Sequence, residues 1–246
     1  MSNPILSIIT VSYNSESTIQ RTLDSVKGVD RYDVEHIIVD GGSSDNTLKI
    51  AARYEHLQVY SGPDKGIYDA MNKGVQLSSG KYICFLNSDD TYSLYSISAL
   101  VRIIRDNPNA DLFLGSCRVV NSTNRRAKIF SPISLSIPPF SMPAPHMSII
   151  YRKLSFLSVG CYDLRYRLAA DYDHIIRVLL KTNRVYVYPF SIGSFYTGGR
   201  GGHIDSLIET FYIRRKYGFH LHLSALKFLE SLVKQALQTL LLALSK

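Results

Sequence analysis

Residues 5–13 read ILSIITVSY, a run that is β-branched and almost wholly apolar, and it constrains the fold more than any other part of the chain. A strand with no polar face has to be buried on both sides, as inside a parallel sheet covered by helices. Three shorter apolar strands follow at 36–39, 57–60 and 82–86, and each ends in polar turn residues. Helical stretches at 16–26, 48–54 and 67–76 separate them. A further helix is expected at 96–105 and a strand at 112–114. Ser44-Asp45-Asn46-Thr47 supplies N-cap chemistry for the second helix. This alternation predicts an α/β, Rossmann-like, mostly parallel sheet flanked by helices. With 246 residues, 46% of them apolar, the chain has ample core for one large domain and is not an intrinsically disordered one.

The second half changes character. Residues 131–145 carry five of the nine prolines and predict an irregular loop. A strand is expected at 147–151, a helix at 171–180 and a strand at 184–188. Residues 194–203 are rich in glycine and predict a mobile loop. The last stretch, 224–244, places Leu226, Leu229, Val233, Ala236, Leu237, Leu240 and Leu244 on one helical face. Such a helix packs on its own domain or on a second copy in a homodimer, or it lies on an anionic membrane surface beside Arg214, Arg215 and Lys216. The expected division is a domain at 1–205 and a C-terminal amphipathic helical appendage at 206–246.

The net charge of +8, from 28 basic and 20 acidic residues, suits a phosphate-bearing ligand, an anionic membrane or nucleic acid. The basic residues are dispersed, which argues against nucleic acid. Cys84, Cys117 and Cys161 are too few and too far apart for a disulfide framework or a zinc cluster, so they read as core residues of a protein in a reducing compartment. No secretory signal opens the chain and no central transmembrane span is expected, which points to a cytoplasmic location. GxxxxGK[ST], GxGxxG after the first strand, HExxH and GxSxG are all missing.

Chemistry-bearing residues gather at the C-terminal ends of the strands: Tyr13-Asn14, Asp40, Asp64-Lys65 and Asn87 to Asp90. In an open α/β sheet that edge is where ligands bind. Adjacent carboxylates such as Asp89 and Asp90 repel unless a cation or donor compensates, and their hard oxygens suit Mg²⁺ or Mn²⁺. The competing reading is a helix cap. Asp171 opens a helix, where a carboxylate is stabilised by the helix terminus or serves as a general base. Asp173 is expected to be solvated or capping. His146 is a ligand or a loop imidazole.

The runs SIITVSYNSESTIQRTLDSV, IIVDGGSSDNT, SGPDKGIYDAMNKG and GKYICFLNSDD together resemble the family 2 glycosyltransferases in order and spacing. The resemblance covers about residues 5–90 and continues more weakly to about residue 178. Its flavour is that of bacterial exopolysaccharide, O-antigen or colanic-acid transferases. It implies a GT-A fold and inverting transfer from a nucleotide-diphosphate sugar to a lipid-linked or saccharide acceptor at the cytoplasmic membrane face. It also implies that Val11, Tyr13, Asn14 and Asp40 hold base and ribose. Asn87 would bond the ribose, Asp89 the Mn²⁺ or Mg²⁺ ion, and Lys65 and Asp90 would complete the donor site. Asp171 matches the family's base, with Ala170 where relatives carry Glu. Arg200 and His203, on the glycine-rich loop, are expected to close over the diphosphate. Two rivals stand beside this reading. A sugar-phosphate nucleotidyltransferase would need a Gly-rich basic turn after the first strand, which TVSYNSES lacks. A non-catalytic nucleotide- or nucleic-acid-binding protein would need a basic stripe.

Overall fold

Strand β1 (Leu6–Ser12) is buried at all seven positions, which follows from having apolar layers on both faces. Leu6 and Ile8 enter one core and Ile9 and Val11 the other, the two-residue alternation of a pleated strand. β2 (Val34–Asp40) and β4 (Tyr82–Phe85) flank β1 in parallel, and β3 (Leu57–Ser61) adds parallel to β2. The described residues of this computed structural model are 3–28, 30, 32–121, 126–132, 139–197 and 204–244, with side chains of the last helix described to residue 233.

Helix α1 (Ile19–Val26) begins three residues later than the sequence suggests. The residues before it are drawn into turns: the Ser15 N–H donates to Thr47 Oγ1 and the Glu16 N–H to Asp45 Oδ2. α2 (Thr47–Ala51) starts under Asp45, whose Oδ1 accepts the Thr47 N–H at 2.9 Å. α3 (Ile67–Leu77) follows β3, and α4 (Ser96–Asp106) follows the two-residue strand β5 (Thr91–Tyr92).

The remaining strands make the sheet mixed. β6 (Leu112–Asn121) is much longer than expected and pairs antiparallel with the short β7 (Ala127–Phe130). A 3-10 turn (His146–Ser148) leads into β8 (Ile149–Arg152), which sits between β4 and β6 and runs antiparallel to both. β9 (Val185–Thr197) runs parallel to β6 and carries β5 at its far edge. The sheet order is β3-β2-β1-β4-β8-β6-β9-β5. Residues 194–197, expected in a mobile loop, are therefore strand. They are held because Ser194 to Thr197 continue the ladder with β6. Gly193 makes the β5 contact possible, since a Cβ there would lie 2.0 Å from the Thr91 carbonyl oxygen.

Helices α5 (Lys153–Ser158) and α6 (Ala170–Lys181) cover the same face of the sheet as α3. Asp111, buried at the foot of β6, accepts hydrogen bonds from Ser155, Thr182 and Arg184 and pairs with Arg152. One carboxylate thus ties α5, the end of α6 and the adjoining strands together. α7 (Ile204–Lys216) and α8 (Leu221–Leu244) complete the chain. The expected domain boundary after residue 205 falls in the first turn of α7. Among the described residues, no helix is long and apolar enough to cross a membrane.

Candidate active site

The chain reverses its direction of winding between β1 and β4, which lie side by side in the sheet although β2 and β3 were added on the other flank. Loops leaving the C-terminal ends of two such strands diverge and leave a crevice. Val11 is buried near the end of β1, whereas Tyr13 beyond it is 65% exposed. Asn14 adopts φ 48°, a left-handed conformation that asparagine tolerates better than most residues. Its Oδ1 accepts the Ser44 N–H at 2.9 Å, and its own N–H donates to Ser43 Oγ. Across the crevice, the hydroxyls of Ser15 and Ser88 lie 2.9 Å apart.

Asp40, fully buried at the end of β2, organises one wall. Oδ1 accepts from the Ser12 and Ser43 hydroxyls, and Oδ2 from the Ser61 hydroxyl and the N–H groups of Gly42 and Ser43. Burial pushes its carboxyl up, but these donors, led by Ser43, outweigh it and hold the group below the usual range. A carboxylate this well satisfied fixes the loop that faces the ligand. Gly41 next to it leaves room: a Cβ there would meet Asp64 Oδ2 at 2.5 Å and the Tyr13 ring at 3.4 Å. Tyr13, Gly41 and Asp64 therefore converge on one spot. Lys65 is exposed just beyond, its N–H bonded to Asp69 Oδ2.

The turn after β4 forms the second wall. Burial pushes the Asp89 carboxyl above its ordinary range. Asp90 is 1% exposed, and burial followed by the Asp89 charge pushes it well above. Asp90 Oδ1 accepts the Tyr196 N–H and its carbonyl accepts the Thr22 hydroxyl, so Asp90 anchors the turn to β9 and α1. Arg21 donates to the Asp89 carbonyl at 2.7 Å and stacks on the Tyr196 ring at 4.1 Å. Among the described residues, Asn87 Oδ1 is buried without a hydrogen-bond partner, and the Asn87 side chain lies against the Asp90 carboxyl. An all-oxygen set with an orphaned acceptor fits a hard divalent cation. Among the described residues no cluster of three or more acidic, His or Cys side chains forms a cation cage. Asp89 is the carboxylate of this turn that would hold such a cation.

The third wall comes from the second half of the chain. Asp171, in the first turn of α6, accepts the Tyr68 hydroxyl on Oδ1 at 2.9 Å, together with the Tyr172 N–H. Tyr68 lies in the first turn of α3, just after β3, so Asp171 sits at the same sheet edge as the other two walls. His146 stacks on Phe85, the last residue of β4, with ring centres 5.0 Å apart. Its Nε2 lies 2.8 Å from the Tyr162 hydroxyl. Burial keeps His146 below its usual range even though the Asp171 charge opposes this. His146 is therefore a half-buried wall of the site. Arg200 and His203 lie outside the described residues.

Asp173 departs from its expected solvated or capping role. It is fully buried, paired to Arg177 at 2.8 Å and Lys216 at 2.7 Å, and bonded by the Tyr217 hydroxyl. Two helical residues rotate a side chain by about 200°, so Asp171 faces the crevice and Asp173 faces α7. Arg214 is also buried and donates to the Phe140 carbonyl. Of the basic trio expected beside the last helix, Arg214 is buried, while Lys216 and Arg215 stay exposed, Lys216 reaching to the buried Asp173. Sequence reasoning missed Glu209 of α7, whose carboxylate accepts the N–H groups of Arg167, Leu168 and Ala169. It serves the N-terminus of α6 from a distant element, and no local signal announces it.

The segment GIYDAMNKG is a positioning device throughout. Gly66 has φ 118°, a conformation that favours glycine. Tyr68, Met71 and Val75 form the core face of α3. The Asn72 amide exchanges two hydrogen bonds with the backbone of Tyr162. Gly74 lets α3 approach β1, since a Cβ would lie 2.4 Å from Ile9 Cγ2. The spacing of Tyr68, Met71 and Val75 was readable as a core face, and a core tyrosine needs a partner for its hydroxyl.

A mixed α/β sheet with a carboxylate-bearing crevice at its strand ends is a frame for binding a ligand. The model of glycosyl transferase family 2 matches residues 7–162, and the chain belongs to that family. It is 34% identical over 227 residues to a PGL/p-HBAD biosynthesis glycosyltransferase of Mycobacterium bovis, covering 87% of this chain and 85% of that one. It is 32% identical over 139 residues to a putative teichuronic acid biosynthesis glycosyltransferase, TuaG, of Bacillus subtilis, covering 54% and 55%. Among solved structures, S. aureus TarS 1-349 in complex with UDP-GlcNAc superposes with a TM-score of 0.67 at 18% identity, over 93% of this chain and 71% of that one. The mannosyltransferase PcManGT from Pyrobaculum calidifontis, in complex with GDP-Man and Mn²⁺, gives 0.66 at 15% identity, over 88% and 65%. These likenesses establish the GT-A fold. The chain is a glycosyltransferase, with relatives in glycoconjugate and polysaccharide biosynthesis.

Proposed function

We propose that the protein transfers one sugar, with inversion, from a nucleoside-diphosphate sugar to a lipid-linked or saccharide acceptor of a bacterial surface glycan at the cytoplasmic membrane face. The observation that carries this is Asp171 at the sheet edge that also holds Asp89. One group thereby faces the acceptor side and the other the leaving diphosphate. The nucleotide sugars bound by TarS and PcManGT support the donor class.

Tyr13, Asn14 and the loop fixed by Asp40 receive base and ribose, with Asn87 offering its amide to a ribose hydroxyl. Asp89 would hold a divalent cation, which would supply charge neutralisation of the diphosphate. Asp171 accepts the proton of the acceptor hydroxyl as that oxygen attacks the anomeric carbon opposite the leaving group. The carbon–oxygen bond to the diphosphate breaks and its electron pair departs with the nucleotide. A donor-hydrolysis screen across UDP, GDP and dTDP sugars with Mn²⁺ or Mg²⁺ tests this reading. Nucleotide release from one donor class, faster with acceptor lipid extract, is expected. No release from any donor overturns it.

The outer face of α8 supports a peripheral membrane role. Leu226, Leu229 and Val233 are each more than half exposed, a continuous apolar stripe at i, i+3, i+7. Protein truncated after Gly218 should stay in the load fraction during flotation with anionic vesicles, while the full chain rises with them. A full chain that never floats assigns the stripe to a protein contact.

A further inference from the structure

The two oxygens of Asp171 are not equivalent. Oδ1 accepts both the Tyr68 hydroxyl and the Tyr172 N–H. Among the described residues, nothing donates to Oδ2. Tyr68 is 8% exposed, and its ring packs on Tyr162 with centres 5.2 Å apart, so its hydroxyl has little freedom to turn elsewhere. Tyr162 is itself locked to α3 by the two Asn72 hydrogen bonds. We propose that Tyr68 is a positioning residue for catalysis: it clamps Asp171 by Oδ1 and leaves Oδ2 as the oxygen that receives the acceptor's proton. This rests on Asp171 being the base. In the step, the acceptor O–H bond breaks, its proton goes to Oδ2, the new C–O bond forms and the nucleoside diphosphate leaves with the electrons of the old one.

One consequence separates clamping from mere packing. A fixed carboxylate reacts faster than one free to rotate about its side-chain torsions, so losing the clamp lowers kcat and leaves donor binding alone. Burial, with the Asp171 charge next, pushes the Tyr68 phenol well above its ordinary range, so it remains a donor throughout the working pH range. The other titratable groups around Asp171 are His146 from the 3-10 turn, Tyr151 from β8, Tyr162 from the loop before α6, and Glu209 from α7, which faces Tyr68. Burial lowers His146 and pushes up the phenols of Tyr68, Tyr151 and Tyr162, which leaves Glu209 as the other carboxylate near this site.

The test is steady-state transfer by wild type, Tyr68→Phe and Asp171→Asn. Phenylalanine keeps the ring packing and removes only the donor. Tyr68→Phe should lower kcat about tenfold to a hundredfold and leave the donor KM unchanged. A Tyr68→Phe variant that folds and keeps the wild-type kcat, or that loses kcat only together with donor KM, overturns the proposal. If Tyr68→Phe does not fold, 3,5-difluorotyrosine at position 68, a stronger donor of nearly the same shape, decides instead, and an unchanged kcat overturns the proposal. An active Asp171→Asn removes the base reading itself. An inactive Asp171→Asn beside a Tyr68→Phe with the wild-type kcat removes only the role of Tyr68.

Discussion

Asp89→Asn is expected to lower transfer by about 10³-fold or more and to weaken donor binding with it. Loss of a single preorganised charge-stabilising group costs about 10²–10³-fold in other enzymes. On the proposed reading the substitution removes the carboxylate that would hold the cation and, through it, the diphosphate. The fold should not suffer. Among the described residues Asp89 makes no ion pair with another side chain, and its carboxyl is pushed up by burial, so its charged form is already disfavoured. Replacing it by a neutral amide also relieves the repulsion with Asp90. Denaturant unfolding should therefore show equal or slightly higher stability for the inactive variant. Wild-type enzyme stripped with EDTA should lose activity in parallel and regain it on adding Mn²⁺ or Mg²⁺. Full activity in chelator would remove the cation from the mechanism.

Asp171→Asn is expected to cut transfer by about 10²–10⁴-fold, the usual worth of a positioned base. Asparagine keeps the acceptor on Oδ1 for Tyr68 and Tyr172, so side-chain placement survives while proton acceptance is lost. Donor affinity, measured by calorimetry with the nucleotide, should barely change, in contrast to the Asp89 variant. Asp173→Asn behaves differently again. It weakens two ion pairs on a buried carboxylate and the Tyr217 hydrogen bond, and breaking a fully buried pair, the upper bound here, costs about 3–5 kcal/mol. Its signature is lost stability, with activity falling only as the fold does. Near-normal turnover by Asp171→Asn would reject the base-assisted mechanism for this chain.

Much of the first half was legible from local pattern. Apolar runs at 5–13, 36–39 and 82–86 predict strands because no other element buries such residues on both faces, and the polar turns after them mark the ligand edge. Irregular partners were not legible. β5 is two residues long, and β9 carries Pro189 and Gly193, which break the alternation that marks a strand. α7 carries apolar residues at Ile204, Leu207, Ile208, Phe211 and Tyr212, yet its described buried positions are Ser206, Ile213 and Arg214, and it is tied to the domain by Ile213 in the core, by Lys216 on Asp173 and by Glu209 on the turn before α6.

The sequence by itself determined the parallel strand core, the crevice at its C-terminal edge, and Asp89 and Asp171 as the acids to watch. Only the tertiary structure decided which oxygen of Asp171 is free, and which neighbouring acid is structural. Asp171 and Asp173 share the same local signals at the start of one helix. The rotation of about 100° per residue sends one to Tyr68, 103 positions away, and the other to Lys216, 43 positions away. Contacts that distant in sequence depend on how whole elements pack, and that information is not carried by any window of the chain that contains either residue.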